Sequence, residues 1–160
     1  MAEFGAAVHD AQVLESSIEL ILSLLDQTAR QGEEVPGVEA LISYSDKTLG
    51  QLIGLLKRRI TVTDSEEKLL KDALIIRNQL VHSFFRREDR LKATLTPDGI
   101  TALIDEVRNI RTLTQQANHT SDRMLDALLK KYGLSVEKLK ENAVEMYRKA
   151  NLEYLQRVIH

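Results

Sequence analysis

A chain of 160 residues, 43% hydrophobic and 29% charged, is long enough for one domain with a real core and too short for two comfortable ones. Seven glycines, two prolines, 4% aromatics and no tryptophan leave a sequence dominated by strong helix formers, so the expected class is all-α. A net charge of -2 argues against coating nucleic acid through bulk positive charge, and leaves a local basic groove open. The absence of cysteine excludes disulfides, thiolate metal sites and a cysteine nucleophile. It fits a reducing cytoplasm. No basic stretch leads into an apolar segment at the start, and no window reaches the roughly 18 apolar residues of a membrane span, so the expectation is a soluble, untargeted, cytoplasmic protein.

In chain order, Phe4, Val8, Ala11, Leu14, Ile18, Ile21, Leu22 and Leu25 recur at spacings of three and four, which predicts an amphipathic helix over 2–31. Gly32 supplies a stop, and Pro36-Gly37 mark a loop. An apolar piece over 38–44 reads as a loop or a single helical turn. Asp46 is the expected cap of a second helix through Leu49, Leu52, Ile53 and Leu56 that ends on Lys57-Arg58-Arg59. Cations there suit the helix dipole. Thr63-Asp64-Ser65-Glu66-Glu67 has the form of a capping box, pairing Thr63 with Glu66 or Asp64 with Glu67, and opens a third helix that runs to about residue 86.

The stretch 86–96 is charged and irregular, with Leu91, Ala93 and Leu95 alternating as in a short extended piece, and is read as loop. Thr96-Pro97-Asp98-Gly99 opens a long fourth helix through Leu103, Val107, Ile110, Leu113, Ala117, Met124 and Leu128. Asn118-His119-Thr120 is where a kink would fall, and Gly133 ends the helix. Ser135 caps an expected fifth helix to about residue 158. Five amphipathic helices with mostly short joints predict one antiparallel up-and-down bundle over 1–160, with apolar faces wide enough to serve a homodimer as well.

The third helix carries the unusual residues. Leu69, Ala73, Ile76, Leu80 and Phe84 form one stripe, widened by Leu70, Leu74 and Val81, and Arg77 falls inside it. A guanidinium among aliphatic side chains is costly unless it is paired or reaches a wet cavity. Asn78 and His82, four apart, share a face at the edge of the stripe. The other histidines, His9, His119 and His160, lack zinc-binding spacings, and there is no phosphate-cradling glycine loop, dinucleotide fingerprint or nucleophile elbow. No metal or other cofactor is expected.

An arginine able to neutralise a phosphate, with an imidazole that can carry a proton near neutrality, is in principle enough to cut RNA, which brings its own 2′-hydroxyl nucleophile. Arg77 and His82 point in directions about 140° apart on the helix, so a two-fold dimer would be needed to pool both. Lys57, Arg58, Arg59, Arg86 and Arg87 are candidates for holding the RNA backbone. Each feature also has a bland reading: Arg77 in a buried ion pair, His82 as a helix-end cation, the basic runs as helix ends or solvated loop.

Arg77-Asn78-Gln79-Leu80-Val81-His82-Ser83-Phe84-Phe85 resembles the signature of the HEPN superfamily, an arginine, four to six residues and a histidine, commonly with a polar residue directly after the arginine. The helical layout around it is also similar to that family's four- or five-helix bundle. The resemblance implies a homodimer whose two motifs form one metal-independent RNA-cutting site, in a toxin or phage-defence role. It implies Arg77 on the scissile phosphate, His82 as general acid or base, and Asn78 orienting both. In the branch paired with a nucleotidyltransferase antitoxin, a tyrosine two residues after the histidine is the modified site. Here that position is Phe84, so the identity of an antitoxin or other regulatory partner stays open. The family also holds non-catalytic members, and the alternative implied is a helical adaptor or regulator that binds a nucleotide or a partner protein.

Overall fold

The computed structural model describes residues 2–29, 44, 46–86, 88–135 and 137, with the backbone alone for 27–29. Among them the chain is all-α and forms five helices: α1 (Ala2–Ala29), α2 (Leu49–Arg59), α3 (Asp64–His82), α4 (Glu88–Ala93) and α5 (Pro97–Lys131). The expected helix after Ser135 and the apolar piece 38–43 lie outside the described residues. None of the helices is long and apolar enough to cross a membrane.

Helix boundaries follow local chemistry. The reciprocal capping box at α3 uses Thr63 and Glu66: the Thr63 side chain accepts from Glu66 N, and the Glu66 carboxylate accepts from Thr63 N at 2.9 Å. The same device at α2 uses Thr48 and Gln51, which corrects the expected cap from Asp46 to Thr48. A threonine with an amide three residues on satisfies two orphan N–H groups at once, which Asp46 cannot do from two residues upstream. Thr96 caps α5 with Pro97 in its first turn, and α5 then runs unbroken through Asn118-His119-Thr120 to Lys131. Gly133, at φ 66°, supplies the left-handed residue that stops it.

Two expectations are corrected around the motif. α3 ends at His82, four residues early, because Ser83 leaves helical geometry while its N–H still bonds Gln79 O at 3.0 Å. The segment read as loop contains α4, whose alternating Leu91, Ala93 and Leu95 mimic a strand pattern over fewer than two helical turns.

α1 packs along α5, with α3 laid against both. Glu15 of α1 meets Arg77 of α3, and Phe4 meets Phe84 in the turn just after α3, so the two helices are antiparallel. α1 and α5 run the same way, since Glu3 meets Arg108 while Asp10 meets Arg111, Gln115 and the side chain of Asn118. The main core gathers Leu14, Ile18, Leu22, Leu49, Leu52, Leu56, Leu70, Ala73, Ala117 and Leu128. A second cluster of Ala7, Leu80, Phe84, Val107 and Ile110 lies under the C-terminal end of α3 and sets where the motif sits.

Candidate functional site

The α3 stripe is buried largely as its periodicity predicts: Leu70, Ala73, Leu80 and Phe84 are in the core, and Leu69, Leu74 and Ile76 pack against it. Val81 departs from the expectation. It is 47% exposed, at the margin of the stripe and outside both core clusters of the described residues.

Arg77 sits where the helical pattern puts it, facing α1, and its side chain is only 23% exposed. Its partner is Glu15: Nη2 donates to Glu15 Oε1 at 2.9 Å, and Nη1 donates to Asn78 Oδ1 at 3.3 Å. The guanidinium thus bridges the first helix to the amide beside it in the motif. Glu15 was not singled out from sequence. Its only signal is a position directly after core residue Leu14, where it looks like any other helix-face carboxylate. One turn on, burial and the charge of Glu15 push the Glu19 carboxyl above the ordinary carboxylate range.

Asn78 and His82 are exposed on the opposite side of α3 from the core. Ile75, Asn78 and His82, at spacings of three and four, fall on one strip, and Ile75 is 55% exposed. Val81 and Phe85 border it, the latter 41% exposed although its ring lies 5.0 Å from both Phe4 and Phe84. An imidazole and an amide are therefore framed by aliphatic and aromatic surface. Phe84 itself is buried, so its ring belongs to the core and not to this exposed surface.

The candidate backbone-holding cations do not converge on this strip. Lys57 is bonded to Glu67, and Arg59 Nη1 stands 2.5 Å from Asp26, which also accepts from Tyr44. Together with Arg58, Ile60, Thr61 and Val62 they line an open depression of about 410 Å³. Because Lys57 meets α3 at Glu67, this depression lies about 16 Å along the helix from Asn78 and about 22 Å from His82. Arg86 stands at the right end of α3, exposed in the turn after His82. Arg87 lies outside the described residues.

A further cation escaped the sequence reading. Arg90, on α4, is 7% exposed; its guanidinium lies 4.2 Å from the centre of the Phe84 ring, Nη1 donates to Phe84 O at 3.3 Å, and Nη2 is bonded to Glu106 of α5. Among the described residues no group of three histidine, cysteine or carboxylate side chains could hold a metal ion. No family model, no curated protein and no solved structure matches the chain.

Proposed function

We propose that the chain is a HEPN-type, metal-independent endoribonuclease whose active site forms when two copies meet along the exposed strip of α3, and that it acts in the cytoplasm as a toxin or in phage defence under a regulatory partner. The observation that carries this reading is the strip itself. His82 and Asn78 stand in an exposed apolar surrounding of Ile75, Val81 and Phe85, and Arg77 is bonded to Asn78 at its rim. Exposed apolar side chains grouped around polar ones are what a self-complementary interface with a wet centre requires.

In the proposed reaction the 2′-oxygen of RNA attacks the adjacent phosphorus while one His82 takes its proton. The 5′-oxygen leaves with a proton from the second copy's histidine, giving a 2′,3′-cyclic phosphate and a 5′-hydroxyl. Arg77 neutralises charge on the phosphorane, with Asn78 holding the guanidinium's orientation. Incubation with RNA in excess chelator tests this. The expected result is cleavage to cyclic-phosphate ends that falls by about 100-fold or more in His82→Ala and in Arg77→Ala. Cleavage that survives both substitutions, or that never occurs with the unaltered chain, refutes it.

One observation favours the second reading, a non-catalytic HEPN-like module that binds a nucleotide or a partner protein. Arg77 is already employed in tying α3 to α1 through Glu15. On that reading Arg77→Ala weakens the fold or its assembly, and there is no cleavage rate to lose.

A further inference from the structure

We propose that Arg90 is a positioning residue for the His82 site: its guanidinium fixes the Phe84 peptide and thereby the end of the helix on which His82 stands. This rests on the reading of the Arg77 to His82 motif as an RNA-cutting site. His82 is the last helical residue of α3, and the chain turns through Ser83 to Arg86 immediately after it, held by Ser83 N to Gln79 O at 3.0 Å and Arg86 N to Ser83 O at 3.1 Å. A buried carbonyl in the turn after a helix is costly unless it finds a donor. The Phe84 carbonyl finds Arg90 Nη1, and the Phe84 ring is covered by the same guanidinium at 4.2 Å.

Arg90 is in turn fixed from the far side. It is the one charged side chain among the buried described residues, and such a charge persists only where its hydrogen bonds are satisfied. Glu106 on α5 supplies the counter-charge, so one planar group joins the end of α3, the short α4 and the first third of α5. Lysine carries the charge but lacks the fork that serves a carbonyl and a carboxylate together. The arginine at this place therefore has a geometric use beyond neutralising Glu106.

The test compares Arg90→Met, Arg90→Lys and Glu106→Gln with the unaltered protein by three readouts. In Arg90→Met, amide exchange at residues 83–86 is expected to rise about tenfold or more while core amides of α1 and α5 stay protected. The His82 ring resonance is expected to shift with those of His9 and His119 unmoved. RNA cleavage is expected to fall about tenfold in kcat with KM little changed, because a displaced proton carrier loses rate without losing substrate. Arg90→Lys should restore part of each effect and Glu106→Gln should show a smaller version of each.

Should Arg90→Met fail to fold, the other two variants carry the comparison. Unchanged exchange at 83–86, protection lost evenly along the chain, or an unmoved His82 resonance each overturns the positioning role. So does an unchanged kcat with a loosened turn. If the unaltered protein cleaves no RNA, the ribonuclease reading fails on that arm alone, and the exchange and resonance arms still decide whether Arg90 positions His82.

Discussion

Arg77 Nη2 lies 2.9 Å from Glu15 Oε1, sixty-two residues away in sequence, and this ion pair gives the first cation of the motif a structural task as well as a candidate chemical one. The two tasks differ in size. Both side chains keep about a fifth of their surface in solvent, so screening holds the pair to roughly 1 kcal/mol. A rate loss of 100-fold corresponds to about 2.7 kcal/mol of transition-state stabilisation. Arg77→Ala is therefore expected to lower stability by about 1 kcal/mol in a denaturant titration, which leaves the protein folded at 25 °C, while abolishing most cleavage. A rate that falls only in proportion to the unfolded fraction would assign Arg77 to the fold alone.

The exposed strip makes a separate prediction. Ile75 is 55% exposed and contributes little to the folded monomer, so Ile75→Glu should change its melting by no more than about 0.5 kcal/mol. Placing a charge into a two-fold interface puts two like charges together, and self-association is expected to be lost in sedimentation, with cleavage lost alongside it. Val13→Glu, on α1 and 37% exposed, is the control and should leave both unchanged. Equal association of the Ile75 variant and the unaltered chain would remove α3 from any interface.

How much of this was readable beforehand depends on whether the signal was local. The apolar periods of α1, α3 and α5, the Thr63 to Glu66 box and the stop at Gly133 are all written within a few residues, and the structure follows them. The anomaly of Arg77 inside an apolar stripe was equally plain, and it correctly demanded a partner. Which partner was not legible. Glu15 reaches Arg77 only because α1 and α3 pack antiparallel, and that register is a property of the whole fold. Arg90 was missed for the same reason: its use depends on Glu106, sixteen residues on in another helix, and on the turn at Phe84. The basic ends were visible as composition, while their diversion into pairs with Glu67 and Asp26 was not.

Acid should weaken the joint between α2 and α3. Hydrogen bonds from Lys57 and then Lys71 hold the Glu67 carboxyl down to about 2, against an ordinary value of 4.5. The Thr63 backbone N–H, and after it the Thr63 side chain, lowers Glu66 as well. A carboxyl depressed in the folded state contributes stability that is fully present above its unfolded value and is lost as pH falls through the folded one. Melting temperature is therefore expected to drop between about pH 4.5 and pH 2, and Glu67→Gln should flatten that limb while lowering the plateau at neutral pH. Because this carboxylate pairs at the surface, added salt should shrink the difference between the two proteins. A Glu67→Gln profile parallel to that of the unaltered chain across this window would remove Glu67 from the acid response.

Two glycines in helices predict opposite outcomes for the same substitution. At Gly54, in α2, a Cβ would meet nothing within 4 Å, so Gly54→Ala should stabilise by about 0.5–1 kcal/mol through reduced freedom of the unfolded chain. At Gly99, in the first turn of α5, a Cβ would lie 2.2 Å from Ala93 O and 2.8 Å from the Ala93 Cα and carbonyl carbon. Those are backbone atoms at the end of α4, joined to α5 by only three residues, 94–96, and they cannot swing aside as a side chain does. Gly99→Ala must push α4 away from α5, and with it Arg90 from Glu106, so a loss of about 1–3 kcal/mol is expected from overpacking alone. Denaturant midpoints of the two variants, measured side by side, should move in opposite directions. A neutral Gly99→Ala would mean that α4 rides loosely on α5, and a guanidinium on so loose a support could not hold the end of α3 in place.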